Sequence, residues 1–159
     1  MSISDRDLEH LRRCVALARE ALTDGDEPFG SVLADASGTV LFEDRNRVKR
    51  GNNTRHPELA IALWAVDNLS PVERGSSTVY TSGEHCPMCS AAHAWVGLGR
   101  IVYAVSSAQL TTWLSEWDAP PSPVAGLPIN AVAPGLLLDG PVEEFEEEMK
   151  RLHLENFSR

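Results

Sequence analysis

Apolar positions along this chain of 159 residues follow two periods, and each predicts an element. Leu8, Leu11, Val15, Ala18 and Leu22 recur at spacings of three and four, the stripe of an amphipathic helix. Ser4 with Asp7 resembles a capping box with Asp in place of Glu, and Asp24-Gly25 marks the helix end. Ser31 to Ala34 and Thr39 to Phe42 are short apolar runs split by Asp35-Ala36-Ser37-Gly38, which predicts a β-hairpin. A polar loop from Arg45 to Arg55 leads to Pro57, which suits the first position of a helix because its missing N–H would have no partner there. Leu59 to Leu69 is apolar nearly all round and predicts a buried helix. Ser77 to Thr81, rich in β-branched residues, predicts a core strand. Pro87 opens a third helix running through Val96, closed by Gly97 and Gly99, and Ile101 to Val105 is the next strand. Trp113 and Trp117, four apart, share one face of a short helix after it. Ala119 to Pro134 carries five of the ten prolines and reads as a loop with a short strand over Ile129 to Ala133. Pro141 opens a final helix with Val142, Phe145, Met149 and Leu152 on one side. Helices alternating with short apolar strands predict an α/β fold with a mixed sheet. No repeat or linker divides the chain, so residues 1–159 are expected to form one domain.

Composition narrows the function classes. No apolar run approaches the ~20 residues of a membrane span, and the first residues are polar and acidic rather than leader-like. Three cysteines make no disulfide framework, so a reduced, cytoplasmic protein is expected. The net charge of −9 opposes binding to a phosphate backbone. Five of the 14 basic residues nevertheless cluster at Arg45, Arg47, Lys49, Arg50 and Arg55, while Glu143 to Glu148 is strongly acidic and reads as a solvated helix face.

Two clusters carry candidate chemistry, each at a predicted helix start with proline at the first helical position: His56-Pro57-Glu58 and Cys86-Pro87-Met88-Cys89. Three residues apart on a helix, Cys86 and Cys89 share a face, and the positive helix end favours the thiolate form that binds metal. At the cap, outside helical geometry, His56 is free to turn toward the point Glu58 faces. One imidazole and two thiolates make a three-ligand zinc site, one ion per chain, with its fourth position open to water. Glu58 remains beside it as a carboxylate that is not a ligand.

His-x-Glu followed by Cys-x-x-Cys resembles the signature of the cytidine-deaminase-like zinc deaminases. The resemblance covers Leu8 to Val105. Asp26-Glu27-Pro28-Phe29-Gly30-Ser31-Val32 looks like the Pro-Phe-Gly-Ala-Val segment of guanine deaminases, and Thr81-Ser82-Gly83-Glu84-His85-Cys86-Pro87-Met88-Cys89 resembles Thr-Ser-x-Glu-Pro-Cys-x-Met-Cys. Pro57 stands where the family has Ala, His85 where it has Pro, and the C-terminal third matches neither the guanine-deaminase nor the tRNA-deaminase pattern. The resemblance implies a five-stranded sheet between helices, hence three α/β/α layers, and a homodimer. It implies hydrolytic deamination of a small aminated nucleobase or nucleoside, guanine-like in preference to cytosine-type. Glu58 then takes the water proton, passes it to a ring nitrogen and helps protonate the leaving ammonia.

Other residues carry paired readings. Asn46, ten residues before His56, matches the family's substrate-binding Asn or bonds a turn. Phe29 is core or a pocket wall. His85 touches substrate or is a loop histidine. Trp113 and Trp117 pack the core or a dimer contact, or form a lid over a flat base, with Glu116 or Asp118 accepting from its N–H groups. Cys14 is expected in the core of helix one, and His10 and His153 on the surface. His93, four after Cys89, would close a structural metal site instead. A redox pair and a degenerate, non-enzymatic subunit are the remaining bland readings. Among enzymes, the alternative to a small substrate is a tRNA adenosine deaminase, for which Arg45 to Arg55 is the only local phosphate track.

Overall fold

The computed structural model describes residues 2–159. Its elements in chain order are α1 (Asp5–Thr23), β1 (Gly30–Ala34), β2 (Val40–Arg45), α2 (Pro57–Asn68), α3 (Pro71–Ser76), β3 (Thr78–Gly83), α4 (Pro87–Trp95), β4 (Ile101–Val105), α5 (Ser107–Glu116), α6 (Ile129–Val132), β5 (Leu138–Asp139) and α7 (Glu146–Ser158), the last preceded by a 3-10 turn at Glu143–Phe145. The five strands lie in the order β2-β1-β3-β4-β5. β1 is antiparallel to β2 and β3, whereas β3, β4 and β5 run parallel, so the sheet is mixed as expected.

Side chains alternate across the central strands and feed two cores. Val32, Ala34, Tyr80, Val102 and Ala104 join Leu11, Val15, Ala18 and Leu22 of α1, Trp113 of α5 and Met149 and Leu152 of α7. On the other face Leu33 and Val79 pack with Ile61, Ala62 and Ala65 of α2. The result is a three-layer α/β/α sandwich. No helix among the described residues is long and apolar enough to cross a membrane.

Local chemistry explains most boundaries. The Ser4–Asp7 capping box forms: Asp7 N–H donates to Ser4 Oγ at 3.1 Å and Ser4 N–H to Asp7 Oδ2 at 2.9 Å. β1 starts at Gly30 because α1 lies almost on its backbone: a Cβ there would fall 2.4 Å from Leu17 Cβ and 2.5 Å from the Cys14 carbonyl. β2 runs three residues past the expected end. Glu43 and Arg45 extend the edge strand through ion pairs with Arg13 and Asp26.

Two expectations fail for physical reasons. Ile129–Val132 is a helix, not a strand, and its first N–H donates to Glu84 Oε1 at 2.8 Å. The fifth strand is Leu138–Asp139, held at the edge by Arg100 Nε donating to Asp139 Oδ2 at 2.7 Å. α2 is not buried all round, since Leu63 and Val66 stand exposed. The acidic run is largely solvated, with Glu143, Glu144 and Glu147 exposed, and two of its members reach α1: Glu144 of the 3-10 turn pairs with Arg12 at 3.2 Å and Glu148 of α7 with Arg19. α3 was legible but unexpected, because Ser70 and Glu73 form a second capping box around Pro71.

At the far end of the sheet Asp7 ties α1 to β3 and β4. Tyr80 donates to its Oδ1 at 2.8 Å, and Arg100 donates to both oxygens at 3.0 and 3.2 Å. Burial pushes the carboxyl up, but Arg100, the Ser4 N–H and Tyr80 outweigh it and hold Asp7 at about 2. A depressed carboxyl contributes stability that is complete above its unfolded pKa of ~4 and lost as pH falls through the folded value. The shift corresponds to about 2 kcal/mol. Urea midpoints between pH 5 and pH 2 are therefore expected to fall more steeply for the native chain than for Asp7→Asn, and parallel slopes would remove Asp7 from this role.

Candidate active site

The carboxyl ends of β3 and β4 open beside the starts of α2 and α4, where α/β proteins place ligands. His56 is the N-cap of α2 and Cys86 the N-cap of α4, both in extended backbone conformation, and each is followed by proline at the first helical position. The two caps converge. His56 Nδ1 lies 3.5 Å from Cys86 Sγ and 3.7 Å from Cys89 Sγ, and the three donor atoms lie within 4.8 Å of one another. A tetrahedral zinc with N at ~2.05 Å and S at ~2.3 Å has an N···S edge of about 3.6 Å. The donor set and its spacing therefore fit one zinc ion. No fourth His, Cys, Asp or Glu atom joins them among the described residues. The closed alternative fails because His93 is buried with Nε2 bound to the Gly99 carbonyl at 2.7 Å.

The neighbouring Cys89 thiol and His56 ring pull the Cys86 thiol down to about 4, against burial. The same contact and burial push Cys89 up, and the bond to Cys86 raises His56 despite its burial. Both sulfurs would bind metal as thiolates, so binding releases protons.

Glu58 sits in the first turn of α2, almost fully buried, over the Ser31–Thr81 cross-strand pair of β1 and β3. Its Oε1 accepts from Thr81 Oγ1 at 2.9 Å and from Ser31 Oγ at 3.3 Å. Burial raises its pKa, opposed by its own backbone N–H, by His56 and by Thr81.

A cavity of about 630 Å3 opens over this floor, with His56, Glu58 and Cys86 at its base. Phe29 and Gly83 form one wall, where a Cβ on residue 83 would press to 3.2 Å of the Phe29 ring. Leu110 and Leu114 of α5 form another, and the Pro-rich segment from Ala119 to Leu127 covers it.

The remaining expected residues are placed unevenly. Phe29 lines the cavity. Asn46 is buried beneath the loop, where its Oδ1 accepts from the Glu27 and Val48 N–H groups, both at 3.2 Å. His85 is buried with neither ring nitrogen hydrogen-bonded, edge-on to His93 at 5.4 Å, and lies outside the cavity wall. Trp113 faces the core, and Glu116 pairs with Lys150 at 3.4 Å on the surface, so α5 turns its other side to the cavity. Cys14 is in the core, and His10 packs at 4.6 Å on Tyr80 rather than standing free.

Three cavity residues escaped the sequence reading. Glu27 lines the wall, and burial raises its carboxyl. Glu84 clamps the roof, accepting from the Ser107 and Ile129 N–H groups at 2.8 Å each, so one carboxylate fixes the starts of α5 and α6. His153, expected on the surface, is buried and lines the cavity. It directly follows Leu152 and stands four residues after Met149, so the width of the apolar stripe was the available signal.

Comparisons with known proteins agree with this geometry. The probable cytosine deaminase of Schizosaccharomyces pombe is 32% identical over 108 residues, covering 68% of this chain and 65% of that protein. Guanine deaminase of Bacillus subtilis is 34% identical over 96 residues, covering 59% and 61%. The matches thus span a little under two thirds of these relatives' lengths. A solved structure of guanine deaminase from Nitrosomonas europaea shares the fold at a TM-score of 0.71 and 20% identity, covering 100% of this chain and 87% of that one. The family model for the cytidine and deoxycytidylate deaminase zinc-binding region matches residues 4–105, well over half of the chain, with His56, Glu58, Cys86 and Cys89 all inside it. The chain therefore belongs to the cytidine and deoxycytidylate deaminase zinc-binding family.

Proposed function

We propose that residues 1–159 act as one zinc-dependent hydrolytic deaminase domain whose substrate is a small aminated nucleobase, guanine-like in preference to cytosine-type. The observation that carries this reading is Glu58: a buried carboxylate beside three metal donors, not itself one of them, at the floor of a cavity. The cavity's size falls in the usual range for small-molecule pockets, about 300–1,000 Å3. His56, Cys86 and Cys89 hold the zinc, which when bound supplies the Lewis acidity that makes water a nucleophile at neutral pH.

Glu58 takes a proton from the attacking water and delivers it to the ring nitrogen beside the amine-bearing carbon. It then takes the remaining proton of the newly attached hydroxyl and gives it to the departing amine as the carbon–nitrogen bond breaks, so that water and the aminated ring become a ring carbonyl and ammonia. Thr81 suits both states of this carboxyl. Its single hydroxyl proton has two acceptors at 2.9 Å, Glu58 Oε1 and the Gly83 carbonyl. It donates to ionised Glu58, and when Glu58 is protonated it turns to Gly83 and accepts. Burial makes the protonated state accessible. Among the described residues no group donates a hydrogen bond to the Glu27 side chain, which offers an acceptor for the N–H groups that guanine presents.

The basic loop supports a small substrate over an RNA. Arg45 and Lys49 pair with Asp24, Arg45 also with Asp26, and Arg47 with Asp44, so most of its charge is neutralised within the protein. Pairing with a second copy is supported by Leu63, Val66 and an 87%-exposed Trp95 on α2 and α4, which pack against each other.

Zinc-loaded protein assayed for ammonia release against guanine, cytosine, isocytosine, adenine, their nucleosides and a tRNA anticodon stem tests the reading. Activity on a free base, guanine above all, is expected. Activity on the RNA alone overturns the small-substrate assignment. The same sample in sedimentation is expected at twice 17.4 kDa, and a monomer overturns the pairing.

A further inference from the structure

Two acids follow one another between α1 and β1, and the fold treats them differently. Asp26 is buried and engaged: its Oδ2 accepts from Arg45 at 3.0 Å and its Oδ1 from the Lys49 N–H at 2.9 Å. Glu27 is half-buried and lines the cavity, and among the described residues nothing donates to its carboxylate. The basic loop that neutralises Asp24 and Asp26 thus leaves this charge unmatched. Its backbone is nonetheless fixed. The Glu27 N–H donates to Asn46 Oδ1 at 3.2 Å, the Asn46 N–H to the Phe29 carbonyl at 3.0 Å and the Phe29 N–H to the Glu27 carbonyl at 2.9 Å, with Pro28 locking φ between them. Burial raises the Glu27 carboxyl and the His56 ring opposes the rise, so the side chain stands in the field of the cavity floor.

An ionised carboxylate only accepts hydrogen bonds, and those it accepts are the strong, charge-assisted kind. Held partly out of water with no donor from the protein, it is relieved by a donor on the ligand. The amine-bearing carbon of an aminated base has one of two surroundings. In guanine and isocytosine a ring N–H stands on one side of it and a bare ring nitrogen on the other. In cytosine and adenine its one flanking ring nitrogen is bare. Glu58 requires a bare nitrogen to receive its proton. A second carboxylate is suited to the N–H and is repelled by a lone pair.

We propose that Glu27 is the specificity-determining residue of this cavity, accepting the ring N–H beside the amine-bearing carbon, and that the substrates are amino-lactam heterocycles such as guanine and isocytosine. This deepens the deaminase reading and rests on it: Glu58 serves the bare side of the reacting carbon and Glu27 the protonated side. The free protein carries an unmatched carboxylate that the ligand relieves, a destabilising feature of the kind functional sites retain.

Isocytosine and 2-aminopyrimidine are matched probes. Each carries its amine between two ring nitrogens, and isocytosine alone adds the N–H and its carbonyl. The test is calorimetric titration of zinc-loaded chain in which Glu58→Gln stops turnover, with and without Glu27→Gln. With Glu27 in place, isocytosine is expected to bind at least tenfold tighter than 2-aminopyrimidine. Glu27→Gln keeps the shape and removes the charge, so isocytosine is expected to weaken at least tenfold and 2-aminopyrimidine to change less than threefold. The carbonyl is common to both proteins and cancels in this comparison. Equal losses on the two probes, a preference that survives the substitution, or no binding of isocytosine at the outset overturns the assignment. A melting point no lower than that of the chain with Glu27 is expected for Glu27→Gln, because no protein group pairs with the carboxylate, and a lower one makes Glu27 structural and overturns the proposal. Ammonia release by the native chain separates the two levels. A native chain inactive on every base overturns the deaminase reading, whereas an active enzyme whose preference ignores Glu27 overturns this proposal alone.

Discussion

Glu58→Gln is expected to retain one zinc per chain and to lose at least about 10³-fold in turnover, the middle of the range for a positioned acid–base group. The substitution is nearly isosteric. Its side-chain carbonyl still accepts from Thr81 and Ser31, so the first turn of α2 keeps its place over β1 and β3. None of the three metal donors changes. What disappears is the carboxylate that stands at the cavity floor without being one of the three metal donors, and 10³-fold corresponds to about 4 kcal/mol of barrier. Ammonia release and atomic absorption on the same sample check this. A loss below tenfold would remove Glu58 as the proton carrier, and zinc lost in step with activity would make it a ligand.

That residue was legible because its setting is local. His56, Glu58, Cys86 and Cys89 occupy the first turns of two helices, and a proline at the first helical position announces each turn. What the residues face is fixed within three positions of the marker. The roof of the cavity has no such marker. α5 carries Trp113 and Trp117 at one spacing and Leu110 and Leu114 at the same spacing, and periodicity alone does not say which pair meets the core. The structure turns Trp113 inward because Phe145 of the 3-10 turn and Met149 of α7 arrive there, more than thirty residues later. Glu116 is thereby carried to the surface, to Lys150, and away from the substrate space. The fifth strand was illegible for a related reason. Two residues show no period, and Leu138–Asp139 is a strand only because Ile101 and Val102 offer an open edge and Arg100 holds Asp139. The fold class was thus readable from strands and helices that bury their own stripes, whereas elements defined by a distant partner were not.

Chelation of the metal is expected to abolish turnover entirely and to lower the melting temperature on the order of 10 °C, both restored by one equivalent of zinc. The activity loss follows from the missing Lewis acid. The stability loss follows from where the donors sit. His56 and Cys86 are the caps of α2 and α4, and neither side chain caps its own helix by a hydrogen bond. His56 Nδ1 stands 3.5 and 3.7 Å from the two sulfurs, so an ion held by all three would tie the start of α2 to that of α4. A ligand bound only by the folded state at ~1,000 times its Kd stabilises by about 4 kcal/mol, and each kcal/mol moves a domain of this size by about 2–4 °C. The gap between metal-loaded and metal-free melting points should narrow as pH falls. Binding requires Cys89 to release a proton that its neighbour and burial both hold on to, and acid opposes that release. Calorimetric scans of chelated and reconstituted protein in reductant, at pH 8 and pH 6, measure both quantities. Equal melting points with and without zinc would mean that the three donors do not bind the ion in the folded chain, and the deaminase reading would fall with them.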